Sequence, residues 1–259
     1  AGGIQRLGDS RLENIVRMQR EGIEAPMVLL RSPALSEITE CVTRAEVSLN
    51  VDLDVLGALS TEASKLGKHH SVILMVDLDT GREGFRLKEL SRVCGEVLRM
   101  KALTLQGFGA YFAYNSEREF QASALQHLVA SAQKIEEEYG FNASVISGGS
   151  TNVFANFICE HKPILGVNQL RIGTAILLGI SSSIGPRRIQ GFHPDTFVLK
   201  AELIELKERD RLLGILSLGQ LDTVHEFLFP LCPGVKVLRA SSDHTLVDVT
   251  EMDPKPRVG

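Results

Sequence analysis

Short apolar runs recur along this chain with amphipathic stretches between them, and that alternation is compatible with few folds. The runs are Ile4 to Leu7, Met27 to Leu30, Val47 to Val51, Val72 to Leu78, Leu103 to Phe108, Ser144 to Ile146 and Gln169 to Ile172. Between them, "LENIVRMQREG", "ALSEITECVTRA", "LDVLGALSTEASKLGK", "LKELSRVCGEVLRMK" and "EFQASALQHLVASAQKIEEEYG" carry apolar residues at spacings of three and four, the period of a helix with one buried face. Strand and helix in turn predict a parallel sheet covered by helices. After about residue 190 the texture changes: "TFVLKAELIELKE" alternates in period two and "VKVLRASSDHTLVDVTE" reads as a hairpin with a polar turn. Residues 1–189 are therefore expected to form an α/β barrel-type domain and residues 190–259 a smaller β-rich domain.

Size and charge narrow the function classes. With 259 residues, 44% of them hydrophobic, the chain is long enough for a large α/β domain with a small companion. The 28 Lys and Arg against 32 Asp and Glu form no basic block, and few aromatics are present to stack bases, which argues against nucleic acid. Cys41, Cys94, Cys159 and Cys232 stand far apart without metal-ligand or redox spacing, so no metal site is expected and the cysteines read as reduced filler in a cytoplasmic protein. The opening "AGGIQRLGDSRLEN" has no apolar core of signal-peptide length, and "AILLGI" falls far short of the roughly 20 residues that cross a bilayer. No membrane partner is expected.

Parallel β/α units present their functional groups at the C-terminal ends of the strands. Read in order, those ends carry Arg11, Arg31, Asn50, Arg82 in "DLDTGREG", then "GAYFAYN", "SGGSTN" and Arg171 in "RIG". Lys68, Lys101 and Lys162 all precede strands, Lys134 belongs to a helix, and Lys200 and Lys207 to the β-rich domain. The rim is thus expected to hold arginines and no lysine, a composition suited to a multiply anionic ligand. In "SVISGGSTNVF", Gly148 and Gly149 let backbone approach a ligand, and the hydroxyls of Ser147, Ser150 and Thr151 can donate to phosphate oxygens. The same letters also serve as a plain βα turn with a hydroxyl N-cap. Arg171, in an apolar strand end, requires an acceptor, either a ligand or a structural carboxylate, and Gly173 again opens the backbone.

At these residues the sequence resembles the pyridoxal-phosphate-dependent amino-acid racemases of the alanine racemase fold type, most closely their ornithine-racemase-like branch. The resemblance spans essentially the whole chain and is carried by "GDSRLENI", "PMVLLRSPALSE", "VSLNVD", "VILMVDLDTGREGF", "ISGGSTN", "LRIGTAILLG" and "ASSDHTLVDVT", in the family's order. It implies a (β/α)8 TIM-like barrel followed by a β domain, pyridoxal 5'-phosphate as cofactor, a free amino acid as substrate, and a homodimer. Arg171 falls where the family's arginine meets the pyridine nitrogen, and the backbone of Ile172 and Gly173 where it meets phosphate. Ser147, Gly148, Gly149 and Ser150 match the other phosphate loop. Arg82 matches the arginine near the phenolic oxygen, while Arg11 and Asp243 fall to substrate binding. A guanidinium at the ring nitrogen leaves that nitrogen unprotonated, which suits abstraction and return of the α-proton on a cofactor aldimine.

Three departures accompany the resemblance. The family's first βα unit carries the Schiff-base lysine, whereas "GIQRLGDS" begins at what corresponds to the second strand, so the chain is expected to be truncated and inactive as it stands. The opposite-face tyrosine has no counterpart in "ILSLGQLDTVHEF". Tyr111 stands where relatives place a histidine or a small polar residue, either beside the cofactor ring or as a core aromatic. His244, beside Asp243, is the β-domain residue placed to reach the substrate. His69 and His70 read as structural, and Asp77 and Asp79 as capping groups or partners of Arg82. The competing functions are a racemase, a non-catalytic pyridoxal-phosphate-binding protein, and a phosphate-binding barrel enzyme without that cofactor.

Overall fold

The computed structural model describes residues 4–78, 80–113, 116–181, 187–224 and 228–259. The chain divides into two compact units, Ala1–Ile176 with Ser181–Phe192, and Leu177–Ile180 with His193–Gly259.

In the first unit the alternation becomes a parallel sheet. Its strands are β1 (Leu7–Asp9), β2 (Met27–Leu29), β3 (Val47–Asn50), β4 (His70–Asp77), β5 (Phe85–Arg86), β6 (Leu103–Ala110) and β7 (Val145–Ser147). The sheet runs β1-β2-β3-β4-β6-β7, with β5 paired to the end of β4. Helices α1 (Leu12–Arg20), α2 (Ile38–Arg44), α3 (Leu53–Lys65), α4 (Leu90–Leu98) and α5 (Arg118–Tyr139) form the crossovers. This is the arrangement of a TIM-like barrel. Among the described residues no helix is long and apolar enough to cross a membrane.

Two expected strands shift. The first lies at Leu7–Asp9 rather than Ile4 to Leu7, because parallel pairing sets Leu7 against Met27 and Asp9 against Leu29, leaving Ile4 60% exposed. The expected strand Gln169 to Ile172 reduces to one parallel bridge, Ser147 with Gln169. Past that bridge the Arg171 N–H turns to the Gly149 carbonyl at 2.8 Å, so the backbone follows the glycine loop instead of extending the ladder.

Two apolar cores follow from the period-two alternation of the strands. Val72, Leu74 and Val76 of β4 face the helices, with Leu56 and Leu59 of α3 and Leu90 and Val93 of α4. Ile73 and Met75 face the other way, into a smaller cluster with Val28, Val47, Leu49 and Val145, against which Tyr111 packs. On β3 the outward residues are polar: Ser48 and Asn50 are fully buried with His70. The His70 Nε2 lies 2.8 Å from the Ser48 hydroxyl, which also accepts from Asn50 Nδ2 at 2.9 Å. Cys41 Sγ approaches the same imidazole nitrogen at 3.8 Å. His69 and His70 lie ahead of the expected strand Val72 to Leu78, but the strand begins at His70, which is tied into this buried network.

The β4–β6 pairing carries a bulge. Register passes from Val72 opposite Leu105 to Ile73 opposite Gly107, which leaves Gln106 without a partner. Gly107 has φ +146°, and a Cβ there would lie 1.9 Å from the Val145 carbonyl oxygen. The bulge therefore depends on glycine for both backbone freedom and close strand approach.

The second unit forms an antiparallel sheet of Leu203–Glu208, Leu212–Leu216, Thr245–Asp248 and Lys236–Ala240, in that spatial order. The period-two pattern from Thr196 overstates its first strand, since Phe197, Val198 and Leu199 are more than half exposed and unpaired.

Two outcomes follow for stability. Gly107→Ala should cost at least about 2 kcal/mol in urea denaturation, because both φ and space oppose a side chain. Gly140→Ala, at φ +65° with open space around it, should cost only about 1 kcal/mol. Burial pushes the His70 imidazole from its ordinary 6.5 down to about 4. Between those values the unfolded chain binds the proton and the folded chain does not, so stability is complete above pH 6.5 and falls as pH drops towards 4. His70→Gln should flatten that part of the profile by an amount on the order of 3 kcal/mol.

Candidate functional site

The best-defined polar cluster of the barrel unit is built where β6 and β7 end. Beyond the bulge, β6 continues to Ala110, and β7 ends at Ser147, whose side chain is fully buried. Gly109 lies between them: a Cβ there would touch Met75 Sδ at 2.9 Å and Ser147 Cβ at 3.4 Å. The Arg171 guanidinium reaches in and donates to the Ser147 hydroxyl and, at 2.7 Å, to the Ala110 carbonyl. Both acceptors are neutral. Among the described residues no carboxylate forms an ion pair with Arg171, which removes the structural-carboxylate account of this arginine.

Desolvation, the largest influence, pushes the Arg171 guanidinium down to about 10, and nearby Arg82 adds to it while Glu83 opposes. At neutral pH the group remains a cation, with part of its surface open to solvent. Such a charge is stabilised by an anion or a lone pair presented to its free edge.

The loop after β7 is packed for its own reasons as well. A Cβ on Gly148 would lie 2.5 Å from Val167 Cγ1, and Gly149 takes φ +116° beside Val153. These contacts require glycine independently of any ligand. Ser150 caps the short helix Thr151–Val153 without a side-chain bond to it. Ile172 packs with Ala155 and Ala175, and Gly173 is exposed with nothing near its missing side chain. Among the described residues the backbone N–H groups of Ser150, Ile172 and Gly173 have no acceptor. Three open donors and a cation thus share one corner of the barrel, an arrangement chemically fitted to a phosphate group.

The four rim arginines part company. Arg31 is taken up by Glu37 in a fork at 2.6 and 2.7 Å, which holds the Glu37 carboxyl below the usual carboxylate range. Arg82 donates to Glu83 at 2.7 Å and lies over the Tyr111 ring, 3.4 Å from its centroid. Tyr111 is therefore both wedged on the inner core and covered by a cation. Arg11 is exposed; its backbone N–H bonds Asp9 Oδ1 at 2.7 Å and its guanidinium has no partner among the described residues. Asp77 caps its own turn through Thr80 and Gly81 rather than pairing with Arg82, and Asp79 lies outside the described residues. Asp243 and His244 belong to the second unit, in the exposed turn between Lys236–Ala240 and Thr245–Asp248.

Sequence reasoning missed two residues here. Glu83, which orients Arg82, was legible only as the neighbour in "GREG". Lys88 lies in the turn Leu87–Glu89 that follows β5, a strand too short to show in an apolar-run count, so a lysine does stand past the C-terminal end of a strand.

The family model described as "Alanine racemase, N-terminal domain" matches residues 1–181. The chain is 30% identical to ornithine racemase of Acetoanaerobium sticklandii, over 99% of this chain and 78% of that protein. It is 32% identical to lysine racemase of Thermotoga maritima, over 96% of this chain and 75% of that protein. Among solved structures, alanine racemase from Bartonella henselae with covalently bound pyridoxal phosphate superposes with a TM-score of 0.68 at 14% identity, covering 99% of this chain and 73% of that one.

Removing the Ser147 hydroxyl tests the core of this cluster. Ser147→Ala leaves the guanidinium one acceptor short in a desolvated site, and unfolding free energy in urea should drop by about 1–3 kcal/mol.

Proposed function

We propose, from the premise that this chain belongs to the alanine racemase N-terminal-domain family, that it serves as an amino-acid racemase, an isomerase using pyridoxal 5'-phosphate on a free amino acid of the alanine or ornithine type. The observation that carries this reading is Arg171: a desolvated cation bonded only to Ser147 and Ala110, in one corner with the open N–H groups of Ser150, Ile172 and Gly173. Pyridoxal phosphate, when bound, supplies an electron-withdrawing ring that acidifies the α-carbon of an attached amino acid.

The residues would divide the work as follows. Ser150, Ile172 and Gly173 would hold the phosphate through backbone N–H groups, with Gly148 and Gly149 shaping the loop beneath them. Arg171 would donate to the ring nitrogen and keep its own proton, since even at about 10 its acidity leaves it charged at neutral pH. Arg82, steadied by Glu83 and Tyr111, would face the phenolic oxygen. Arg11 and Asp243 are the candidates for the substrate carboxylate, and Tyr111 and His244 for proton transfer at the α-carbon.

The same reading makes the protein a cytoplasmic homodimer. Cys159 and Cys232, both free and exposed, suit a reducing compartment. Phe197, Leu221 and Leu231 of the second unit are more than half exposed, which suits burial against another copy.

The groups around Ser147 and Arg171, a guanidinium and open backbone N–H donors, are binding groups and would equally serve a second reading, a non-catalytic pyridoxal-phosphate-binding protein. Two measurements separate the readings. Titration with pyridoxal phosphate, followed by absorbance, should show binding that Arg171→Leu weakens by about tenfold or more. Chiral chromatography after incubation with L-ornithine, L-lysine or L-alanine should then show racemisation for the enzyme reading. Binding without racemisation favours the second reading, and no binding overturns both.

A further inference from the structure

A groove of about 830 Å3 opens on the barrel unit beside the C-terminal end of β4, with none of the residues of the Ser147 and Arg171 cluster in its walls. One wall is the segment after β5, which brings Arg86 and Lys88. The other is α5, which brings Phe120, Ser123 and His127. Spacings of three and four put these α5 residues on one helix face, so they address the groove together. The volume falls within the range of small-molecule sites.

Charge decides what fits. Among the described residues neither Arg86 nor Lys88 has a carboxylate or hydrogen-bond partner, although both side chains line the same space. Asp77 is the one carboxylate among the described lining residues, and its Oδ1 is occupied by the N–H groups of Thr80 and Gly81 at 2.8 and 3.1 Å and by the Thr80 hydroxyl at 2.9 Å. Among the described lining residues the groove is therefore cationic on balance. The placement of the charges is set in advance, because β5 pairs with β4 and sets Arg86 opposite Asp77. An arginine fork, a lysine point charge and a serine hydroxyl converging on one concave surface are the donor set of a phosphate site. Phe120, edge-on to Phe112 at 6.1 Å, supplies an apolar wall for the remainder of such a ligand.

We propose that this groove is a second anion site, for a small molecule bearing a phosphate or pyrophosphate group, separate from the corner that would hold the cofactor's phosphate. It rests on its own residues and stands whether or not the racemase reading does.

The probe is inorganic pyrophosphate, titrated into the whole chain by calorimetry at low salt. Saturable binding with a Kd on the order of 1 mM or tighter is expected. The double variant R86Q/K88Q, altered only at exposed side chains and checked for fold by circular dichroism, should weaken it by about tenfold or more. In the Arg171→Leu background, where the other corner is weakened, the same binding and its loss on R86Q/K88Q should persist. No saturable binding overturns the proposal, as does binding that survives R86Q/K88Q or is lost in Arg171→Leu, since the anion would then occupy the other corner.

Discussion

The candidate site depends on one half-buried cation held by neutral acceptors. The Arg171 guanidinium donates to a hydroxyl on β7 and a carbonyl at the end of β6, and thereby joins two neighbouring strands to the loop that leaves the sheet at Gln169. A carboxylate in either place would have consumed the charge within the protein. With neutral oxygens the positive potential remains available at the open side of the group, and desolvation enlarges its effect. The surrounding loop takes its course from the same contact, because the Arg171 N–H closes onto the Gly149 carbonyl.

That contact in turn depends on the bulge in β6. Skipping Gln106 turns the strand so that Gly107 and Gly109 face Ile73 and Met75 across the inner core, while the Ala110 carbonyl arrives at the guanidinium. Glycine at 107 is required by φ and by the Val145 carbonyl; at 109 a Cβ would press on Met75 Sδ and touch Ser147. The backbone irregularity and the polar cluster are two ends of one arrangement, which is where bulges in sheets commonly do their positioning.

Ordinary ion pairing sorts the remaining arginines. Arg31 closes a fork with Glu37 at the rim, and Arg82 is shared between Glu83 and the face of Tyr111. These pairs are partly exposed and contribute little to stability. Their effect is on direction: each fixes where a long side chain points. Arg86 and Lys88, like Arg11, have no such partner among the described residues, but unlike Arg11 they line one groove together.

Several features were legible in the chain alone because they are local. The alternation of apolar runs with helical periodicity determined the parallel β/α architecture, a polar turn marked the hairpin at Lys236–Asp248, and the neighbourhood of "SGGST" and "LRIG" pointed to one corner of a barrel. Strand limits at Leu7 and Gln169 were not legible, since register is set by a partner strand distant in sequence. The acceptors of Arg171 were not legible either: one is a backbone carbonyl 61 residues away, which no side-chain motif records. Lys88 and His70 illustrate the same division. Their residue types were visible, but whether each is open to a groove or locked to Ser48 was decided by packing, because burial and pairing are properties of what surrounds a residue rather than of the residue itself.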